Sequence, residues 1–225
     1  MAQVHAGLAK HGMAWFARDQ EAGKGQLGRQ WQSEPGKNIA LSVVLQPGVF
    51  KPLSGFYLSV VAALACYDLF SGYAGSETTI KWPNDIYWRD RKAGGLLIEN
   101  VHQGTAWKYA VIGVGININQ TTFSKALKNP VSLKQITGKD QDVEKLGEEL
   151  YELLMKRVST IETTSFEEIL NLYNHHLFGR NKTVRLKKDN AVFETVIKGV
   201  NAKGQLVTVD AIERCFDFGK VKWIV

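Results

Sequence analysis

The sequence has little cysteine and no long apolar run. Its two cysteines, Cys66 and Cys215, stand far apart, and no His or Cys lies near either at the spacing of a metal site. This argues against a disulfide framework or a zinc site and for a reducing compartment. No run of about 18 apolar residues is present and no signal-peptide pattern opens the chain. We therefore expect a soluble, cytoplasmic protein with no membrane partner.

Several familiar catalytic patterns are also missing. The spacing Gly-x-Gly-x-x-Gly occurs at Gly23, Gly25 and Gly28, but the residues that follow, 29–36, have no helical period, as a dinucleotide-binding fold would require. No Gly-Lys-Ser/Thr follows, so a P-loop is excluded too. The absence of a Ser-His-Asp set or an activated cysteine argues against a hydrolase that works through a nucleophile.

The composition is that of a globular protein with a modest positive charge. Hydrophobic residues make up 44% and charged residues 22% of the 225 residues, and the net charge is +6. Positive charge is concentrated after residue 178, where ten Lys or Arg stand against five Asp or Glu. Such a surface can attract an acidic protein or a nucleic acid, although an ordinary solvated lysine-rich surface explains most of these residues equally well.

A glycine-rich segment, residues 20–31, is the first candidate site. Three glycines in six positions allow the backbone to approach a ligand closely. Lys24 and Arg29 add positive charge beside backbone N–H groups, a combination suited to a carboxylate or a phosphate. The alternative is a mobile surface connection between two strands.

Hydrophobic periodicity predicts an α+β protein with two domains. Helices are expected at 2–11, 53–70, 142–161 and 166–176, and strands at 14–17, 38–45, 78–82, 94–101 and 107–117. After residue 178 the pattern changes to short alternating strands at 183–187, 191–200, 205–209, 215–218 and 222–225, which indicates a small β-barrel. We therefore place the domains at 1–178 and 179–225.

Three further segments carry groups suited to chemistry. Residues 81–85 combine a cation, an aromatic ring, an amide and a carboxylate, residues 92–95 run from a lysine into two glycines, and residues 113–119 place glycines on one face of a strand. Each segment alone could be an ordinary turn or bulge, but their joint occurrence favours a site. Together these segments supply cations and backbone N–H groups but few candidate bases, a combination that suits phosphoryl chemistry.

These segments resemble the four sequence blocks of biotin protein ligases, in the same order and at similar spacing. The blocks are Gly23-Lys24-Gly25-Gln26-Leu27-Gly28-Arg29-Gln30-Trp31, Lys81-Trp82-Pro83-Asn84-Asp85, Lys92-Ala93-Gly94-Gly95 and Gly113-Val114-Gly115-Ile116-Asn117. The resemblance covers essentially the whole chain. It implies a mixed β-sheet with helices, of the class II synthetase and biotin ligase type, followed by a small SH3-like β-barrel.

The activity that this resemblance implies has two steps. The biotin carboxylate attacks the α-phosphate of ATP, assisted by Mg²⁺, to give biotinyl-5′-AMP and pyrophosphate. A lysine of the biotin carboxyl carrier protein of acetyl-CoA carboxylase, or of a related carboxylase, then takes the biotinyl group. No DNA partner is expected, because no DNA-binding domain precedes the catalytic region, and a homodimer is compatible with the family.

The resemblance also implies residue roles. Biotin would be held by Gln20, Gly23, Lys24, Gly25, Gln26, Lys92, Gly95, Gly113 and Gly115. ATP would be held by Lys24, Arg29, Trp31, Lys81, Asn84 and Asn117, and the catalytic group would be Lys92, Arg29 and Asp85. Asp85 receives no firm role as a base, because proximity to the acceptor amine cannot be derived from sequence.

Two departures from the family pattern and three alternatives remain. Lys24 and Gln26 stand where the family usually has arginines, so weaker retention of the adenylate is expected. The Ser-Thr-Asn block that normally precedes the first helix is missing, and we expect either that the start was assigned too late or that the protein is impaired. The alternatives are a lipoate or octanoate ligase or transferase, a non-catalytic biotin-binding protein and a basic nucleic-acid module; residues 82–85 and 92–95 favour biotin.

Overall fold

The first layer of the fold is a six-stranded sheet. The computed structural model describes residues 1–47 and 55–224. The strand order in the sheet is β1-β4-β8-β7-β6-β5, with ranges β1 Ala14–Phe16, β4 Asn38–Leu45, β5 Thr78–Lys81, β6 Asp85–Trp88, β7 Arg91–Gln103 and β8 Ala106–Asn117. A separate two-stranded pair consists of β2, Gly23–Lys24, and β3, Gln30–Trp31.

The sheet is antiparallel, so the expectation of a mixed sheet was wrong. Every described pair of its strands runs antiparallel. The reason is that β5, β6, β7 and β8 follow one another through short turns, and such turns return the chain beside itself in the opposite direction. The longest of these hairpins joins β7 to β8 through Gly104 and Thr105, and both strands extend beyond their predicted ranges of 94–101 and 107–117.

Helices cover one face of this sheet. Their ranges are α1 Ala2–His5, α2 Gly55–Ala74, α3 Leu133–Thr137, α4 Val143–Ser159 and α5 Phe166–His175. Leu64 of α2, Ile112 of β8 and Leu150 of α4 are all fully buried in the core between them. Burial on this scale is the main favourable contribution to folding.

The central helix α2 meets the length and composition of a membrane span, contrary to expectation. Its mean hydropathy is 1.4, and 61% of the apolar window is buried inside the protein. Because α2 is surrounded by the sheet, α4 and α5, it is apolar on nearly every side for the reason that applies to any fully buried core helix. The predicted start of this helix, residues 53–54, lies outside the described residues.

The first helix is shorter than predicted. It ends at His5, and Gly7 adopts a φ of +71°, a left-handed conformation that ends the helix before Gly12 is reached. Leu8, which lies within the predicted helix, is 62% exposed. Val4 remains buried against the second face of the sheet, in a small cluster with Ala9, Val44, Tyr109 and Val111.

The C-terminal residues form a second antiparallel sheet. Its strands are β9 Thr183–Lys188, β10 Ala191–Val200, β11 Leu206–Val209, β12 Glu213–Phe216 and β13 Lys222–Ile224, in the order β12-β11-β10-β9-β13. All five strands were predicted, although β12 begins and ends two residues earlier than expected. Asn174 of α5 fixes this sheet to the first layer through hydrogen bonds with the Val200 N–H (2.7 Å) and carbonyl (2.9 Å).

The N-terminal cap of α5 allows a test of local stability. The Ser165 hydroxyl accepts a hydrogen bond from the Glu168 N–H at 3.2 Å, and the Glu168 carboxylate accepts one from the Ser165 N–H at 3.0 Å. We expect Ser165→Ala to lower the free energy of unfolding by about 1 kcal/mol. Ser71→Ala is the matched control, because Ser71 lies within α2 and caps nothing; urea denaturation should leave its midpoint unchanged or slightly raised. Equal midpoints for the two variants would contradict the cap.

Candidate functional site

The glycine-rich segment is a hydrogen-bonded hairpin rather than an open loop. Gly23 pairs with Trp31 and Lys24 with Gln30. The Gly25 N–H donates to the Arg29 carbonyl at 2.7 Å. Gly23 could not be another residue here, because a Cβ would lie 2.4 Å from the Trp31 carbonyl oxygen. The hairpin therefore has a defined shape.

The turn of this hairpin contains a strained residue. Leu27 has a φ of +55° and Gly28 a φ of +74°, while the Arg29 N–H donates to the Gln26 carbonyl at 3.2 Å. Positive φ at both central positions is the type I′ geometry, which favours Asn and Gly and disfavours a leucine. Leu27 is 70% exposed, so packing does not compensate for the strain.

We expect Leu27→Asn to stabilise the hairpin. Asparagine tolerates the left-handed region, so the local opening free energy should rise by about 0.5–1 kcal/mol. Hydrogen exchange of the Gly25 and Arg29 amides should slow severalfold. Leu27→Ala serves as the control, because it removes the exposed side chain and keeps the strain, and its exchange should match the wild type. Faster exchange in Leu27→Asn would contradict the turn geometry.

The hairpin packs onto the sheet through Trp31. A Cβ placed on Gly115 would lie 2.5 Å from Cε2 of the Trp31 indole, so the ring occupies the space that this glycine leaves. Gly113, two residues earlier on β8, meets only the Leu97 carbonyl oxygen, at 3.7 Å. The glycines of β8 thus make room as predicted, but at Gly115 the room is filled by the protein's own tryptophan.

A groove of about 540 Å³ lies between the hairpin and β7. It is lined by Ala22, Gly23, Lys24, Gly25, Gly28, Arg29, Gln30, Leu97 and Glu99. The Lys24 ammonium lies 3.5 Å from the Glu99 carboxylate, and both side chains are partly exposed, which makes this a weak ion pair. Arg29 has no side-chain hydrogen bond or ion pair with any described residue. The groove therefore offers an uncommitted cation to an anionic ligand.

Two polar atoms of the hairpin are buried without a partner. Within the ranges 1–47 and 55–224, neither Oε1 of Gln26 nor Nε1 of Trp31 has a hydrogen bond. Unpaired buried polar groups are costly, and a ligand is one way of satisfying them. One acceptor and one donor are thus available where the sequence predicted biotin and nucleotide contacts. Gln20 and Trp31 both line a smaller depression of about 280 Å³.

The predicted catalytic lysine and aspartate are in direct contact. Nζ of Lys92 lies 2.6 Å from Oδ1 of Asp85, with side-chain exposures of 33% and 24%. The pair is seated over Gly95, because a Cβ there would lie 2.9 Å from Oδ1 of Asp85 and 3.4 Å from Nζ of Lys92. Gly95 is directly opposite Gly115 on β8. The ion pair and the Trp31 indole therefore lie side by side on one face of the sheet.

Three other predicted site residues are placed differently. Asn84 is buried and donates its side-chain amide to the Leu96 carbonyl. The Asn117 amide donates to the Val131 carbonyl at 3.1 Å, and the Lys81 side chain is buried among aromatic rings. Direct nucleotide contact is therefore not supported for Lys81, nor for the amide nitrogens of Asn84 and Asn117, which are already committed. Their hydrogen bonds hold the turn between β5 and β6 and the segment before α3.

Leu97 and Glu99 are site residues that the sequence did not predict. Both lie on β7 and line the groove, and Leu97 is directly opposite Gly113. The signal that could have found them is the β7–β8 hairpin itself, because its register places residues of β7 beside the predicted glycines of β8.

Comparison with known proteins places the chain in a family. A model of the biotin/lipoate A/B protein ligase family matches residues 3–117, about half of the sequence. The chain belongs to this family. Within it, the biotin--[acetyl-CoA-carboxylase] ligase of Paracoccus denitrificans is 30% identical over 203 residues, which cover 87% of this chain and 84% of that protein. The bifunctional ligase/repressor BirA of Bacillus spizizenii is 30% identical over 214 residues and 92% of this chain.

The chain spans less than two thirds of the length of two of the relatives that it matches. The matches cover 65% and 62% of the two Bacillus bifunctional ligase/repressors. A solved structure of biotin protein ligase from Aquifex aeolicus in complex with biotin and ATP superposes with a TM-score of 0.80 over 96% of this chain and 90% of the other, at 24% identity. This confirms the α+β fold of the biotin ligase type.

Proposed function

We propose that the chain is an ATP-dependent biotin protein ligase. It forms biotinyl-5′-AMP and transfers the biotinyl group to a lysine of a biotin carboxyl carrier domain. The observation that carries the proposal is the Gly95–Gly115 pair, over which the Lys92–Asp85 ion pair and Trp31 of the hairpin lie side by side. The similarity to the Paracoccus denitrificans ligase supports biotin as the acid and a carboxylase as the destination.

In the first step, a carboxylate oxygen of biotin attacks the α-phosphorus of ATP, and pyrophosphate leaves. The main difficulty is that two anions must meet. Lys92 supplies a positive charge beside the reacting groups, while Arg29 and Lys24 supply charge from the hairpin. Such attraction is several times stronger in a site from which water is excluded than in bulk solvent. Closure of the hairpin over the ligands would provide that exclusion.

In the second step, the amine of the acceptor lysine attacks the acyl carbon of the adenylate, and AMP leaves. The amine must first lose a proton. Asp85 is the carboxylate of the site, and its contact with Lys92 orients it.

Substrate contacts follow the placement of the side chains. We assign biotin to Gln20, Gln26, Lys92 and the glycines of the hairpin and sheet, and the nucleotide to Arg29, Trp31 and Lys24. Mg²⁺ would enter with the nucleotide, since no three His, Cys, Asp or Glu side chains cluster as a metal site in the part of the chain that the structure describes. Such an ion usually keeps several waters and is held by phosphates and one or two carboxylates.

We also propose a domain division, an acceptor protein and a cellular location for the reaction. We assign residues 1–178 to the catalytic domain and 179–225 to an SH3-like domain, because the five-stranded sheet begins just after residue 178. The acceptor is the biotin carboxyl carrier protein of acetyl-CoA carboxylase or a related carboxylase, and the reaction is cytoplasmic. An acidic carrier surface would suit the excess of Lys and Arg after residue 178.

Gln26 should govern how long the adenylate is held. Its buried, unpaired Oε1 offers one neutral acceptor, whereas an arginine would add a charge and several donors beside an anionic phosphate. We expect Gln26→Arg to slow release of biotinyl-5′-AMP about tenfold, as followed by gel filtration of the radiolabelled adenylate. Gln26→Glu keeps the size of the side chain and adds a negative charge, so it should speed release. Equal release from all three proteins would contradict this role.

The proposal is tested by the acid that the protein activates. Purified protein with ATP and Mg²⁺ should release pyrophosphate when biotin is added. Lipoate and octanoate should give no release above background. Activation of lipoate but not biotin would replace this proposal with the lipoate ligase alternative, and biotin binding without pyrophosphate release would indicate a non-catalytic biotin-binding protein.

A further inference from the structure

Lys81 is a buried lysine that forms no ion pair with the neighbouring carboxylate of Asp85. Lys81 and Asp85 are directly opposite across β5 and β6, in the last pair before the turn. Cβ atoms at such positions are about 5 Å apart, so an ion pair between these two side chains is the ordinary expectation. Nζ of Lys81 instead contacts Tyr87, at 3.3 Å from the hydroxyl and 4.4 Å from the ring centroid. Asp85 pairs with Lys92.

Three aromatic rings surround the Lys81 ammonium. Besides Tyr87, the ring centroids of Phe178 and Trp223 lie 5.2 Å and 5.1 Å from Nζ. We call Tyr87, Phe178 and Trp223 the aromatic cage. Its rings also contact each other, since Phe178 lies 5.4 Å from Tyr87 and 5.6 Å from Trp223. Lys81 is only 7% exposed, and the attraction of a cation to aromatic faces is strongest when the cation is desolvated.

The cage is assembled from both sheets. Tyr87 belongs to β6 of the first sheet, and Trp223 belongs to β13 of the C-terminal sheet. Phe178 lies on the link between them, where its N–H donates to the Ile80 carbonyl at 2.9 Å. The rings can therefore surround Lys81 only when the C-terminal sheet is docked beside β5.

We propose that the aromatic cage holds the Lys81 ammonium away from Asp85, so that Asp85 pairs with Lys92 alone. Phe178 and Trp223 are then positioning residues through which the C-terminal sheet sets the ion pair of the reaction centre. The consequence for the reaction rests on the proposed function, but the placement of the two lysines does not.

The charges around Lys81 favour this arrangement. Burial lowers the pKa of Lys81 to about 8, Lys92 and Lys128 act in the same direction, and Asp85 opposes them. Without the cage, Lys81 would be hydrated and fully charged, with its nearest anion across the hairpin at Asp85. One carboxylate would then be shared between two ammonium groups.

The test is a rescue experiment. Trp223→Leu removes one wall of the cage, and we expect biotin-dependent pyrophosphate release to fall about tenfold. Trp223→Phe keeps an aromatic face and should stay within about threefold of the wild type. Adding Lys81→Met to Trp223→Leu removes the competing cation and should restore most of the lost rate. If Trp223 serves only to pack the C-terminal sheet, the double variant will be as slow as Trp223→Leu or slower, which would overturn the proposal.

A second readout does not depend on activity. In protein labelled with ¹³C at the lysine Cε, Lys81 should show a ring-current shift that Trp223→Leu reduces, because only one of the three rings is removed. The Lys92 signal, assigned by its loss in Lys92→Ala, should also move in Trp223→Leu, and should return in the double variant. An unchanged Lys92 signal in Trp223→Leu would overturn the proposal. Absence of pyrophosphate release from wild-type protein with a shifted Lys81 signal would instead refute the proposed function and leave the cage intact.

Discussion

Lys92→Ala is expected to lower the rate of biotin-dependent pyrophosphate release by a factor of about 10²–10³. The substitution removes the ammonium that lies 2.6 Å from Asp85 and, in the proposed reaction, beside the carboxylate and the α-phosphate. Because the charge on these groups redistributes as the new bond forms, the loss should fall on kcat as well as on kcat/KM. Steady-state kinetics with varied biotin and ATP would measure both.

Lys134→Ala is the matched control for this experiment. Lys134 also forms an ion pair, at 2.8 Å from Asp140, and its side chain is 34% exposed, against 33% for Lys92. It belongs to α3, outside the candidate site. We expect its variant to keep wild-type kinetics and the same unfolding midpoint within experimental error. A wild-type rate for Lys92→Ala would show that the role given to Lys92 is wrong.

Gly115→Ala should displace Trp31 and lower kcat/KM for ATP by about tenfold to a hundredfold. The added methyl group would lie 2.5 Å from the indole, inside the contact limit of two carbons, so the ring and the hairpin that carries it must move. We expect the KM for ATP to rise, because a displaced aromatic ring no longer packs beside the nucleotide. The Trp31 fluorescence, isolated by subtracting the spectrum of the matching Trp31→Phe variant from that of the protein that keeps Trp31, should shift.

Gly113→Ala separates this clash from a general effect of glycine replacement. Its added methyl group meets only the Leu97 carbonyl oxygen, at an ordinary 3.7 Å. The hairpin should therefore stay in place, and the rate at which a protease cleaves residues 23–31 should equal that of the wild type. Faster cleavage in Gly115→Ala but not in Gly113→Ala is the expected pattern. The same cleavage rate in both variants would contradict the packing of Trp31 on Gly115.

Elements with a strong local pattern were predicted well. The buried strand β4 has the predicted limits, Asn38–Leu45, and α4 and α5 begin within one residue of the predicted starts, directly after the caps Asp142 and Ser165. These signals are local, since a run of apolar residues or a capping side chain acts within a few positions of the chain.

The elements that were missed depend on distant partners. β6, Asp85–Trp88, is only four residues long and directly follows a turn, and it is a strand because β5 and β7 lie on either side of it. α3, Leu133–Thr137, is too short for a helical period, although Ser132 and Gln135 form a capping box that could have indicated it.

In the candidate site, too, the features that depend on local sequence were predicted and those that depend on distant contacts were not. Glycine spacing and the nearby cations were sufficient to group residues 20–31 and the Lys92 region as candidates for one site, but they did not predict that residues 23–31 form a hairpin. The contact of Trp31 with Gly115 and the pairing of Lys24 with Glu99 could not be predicted, because both depend on how the hairpin packs on the sheet. The burial of Lys81 depends on residues more than 90 positions later in the sequence.

The most direct test of the central claim is intact-mass spectrometry of a carrier domain. A recombinant biotin carboxyl carrier domain incubated with this protein, biotin, ATP and Mg²⁺ should gain the mass of one biotinyl group on its acceptor lysine. The addition should require ATP and should fail when Lys92→Ala replaces the wild type. No addition by the wild-type protein, to a carrier domain that an established biotin ligase modifies under the same conditions, would contradict the account.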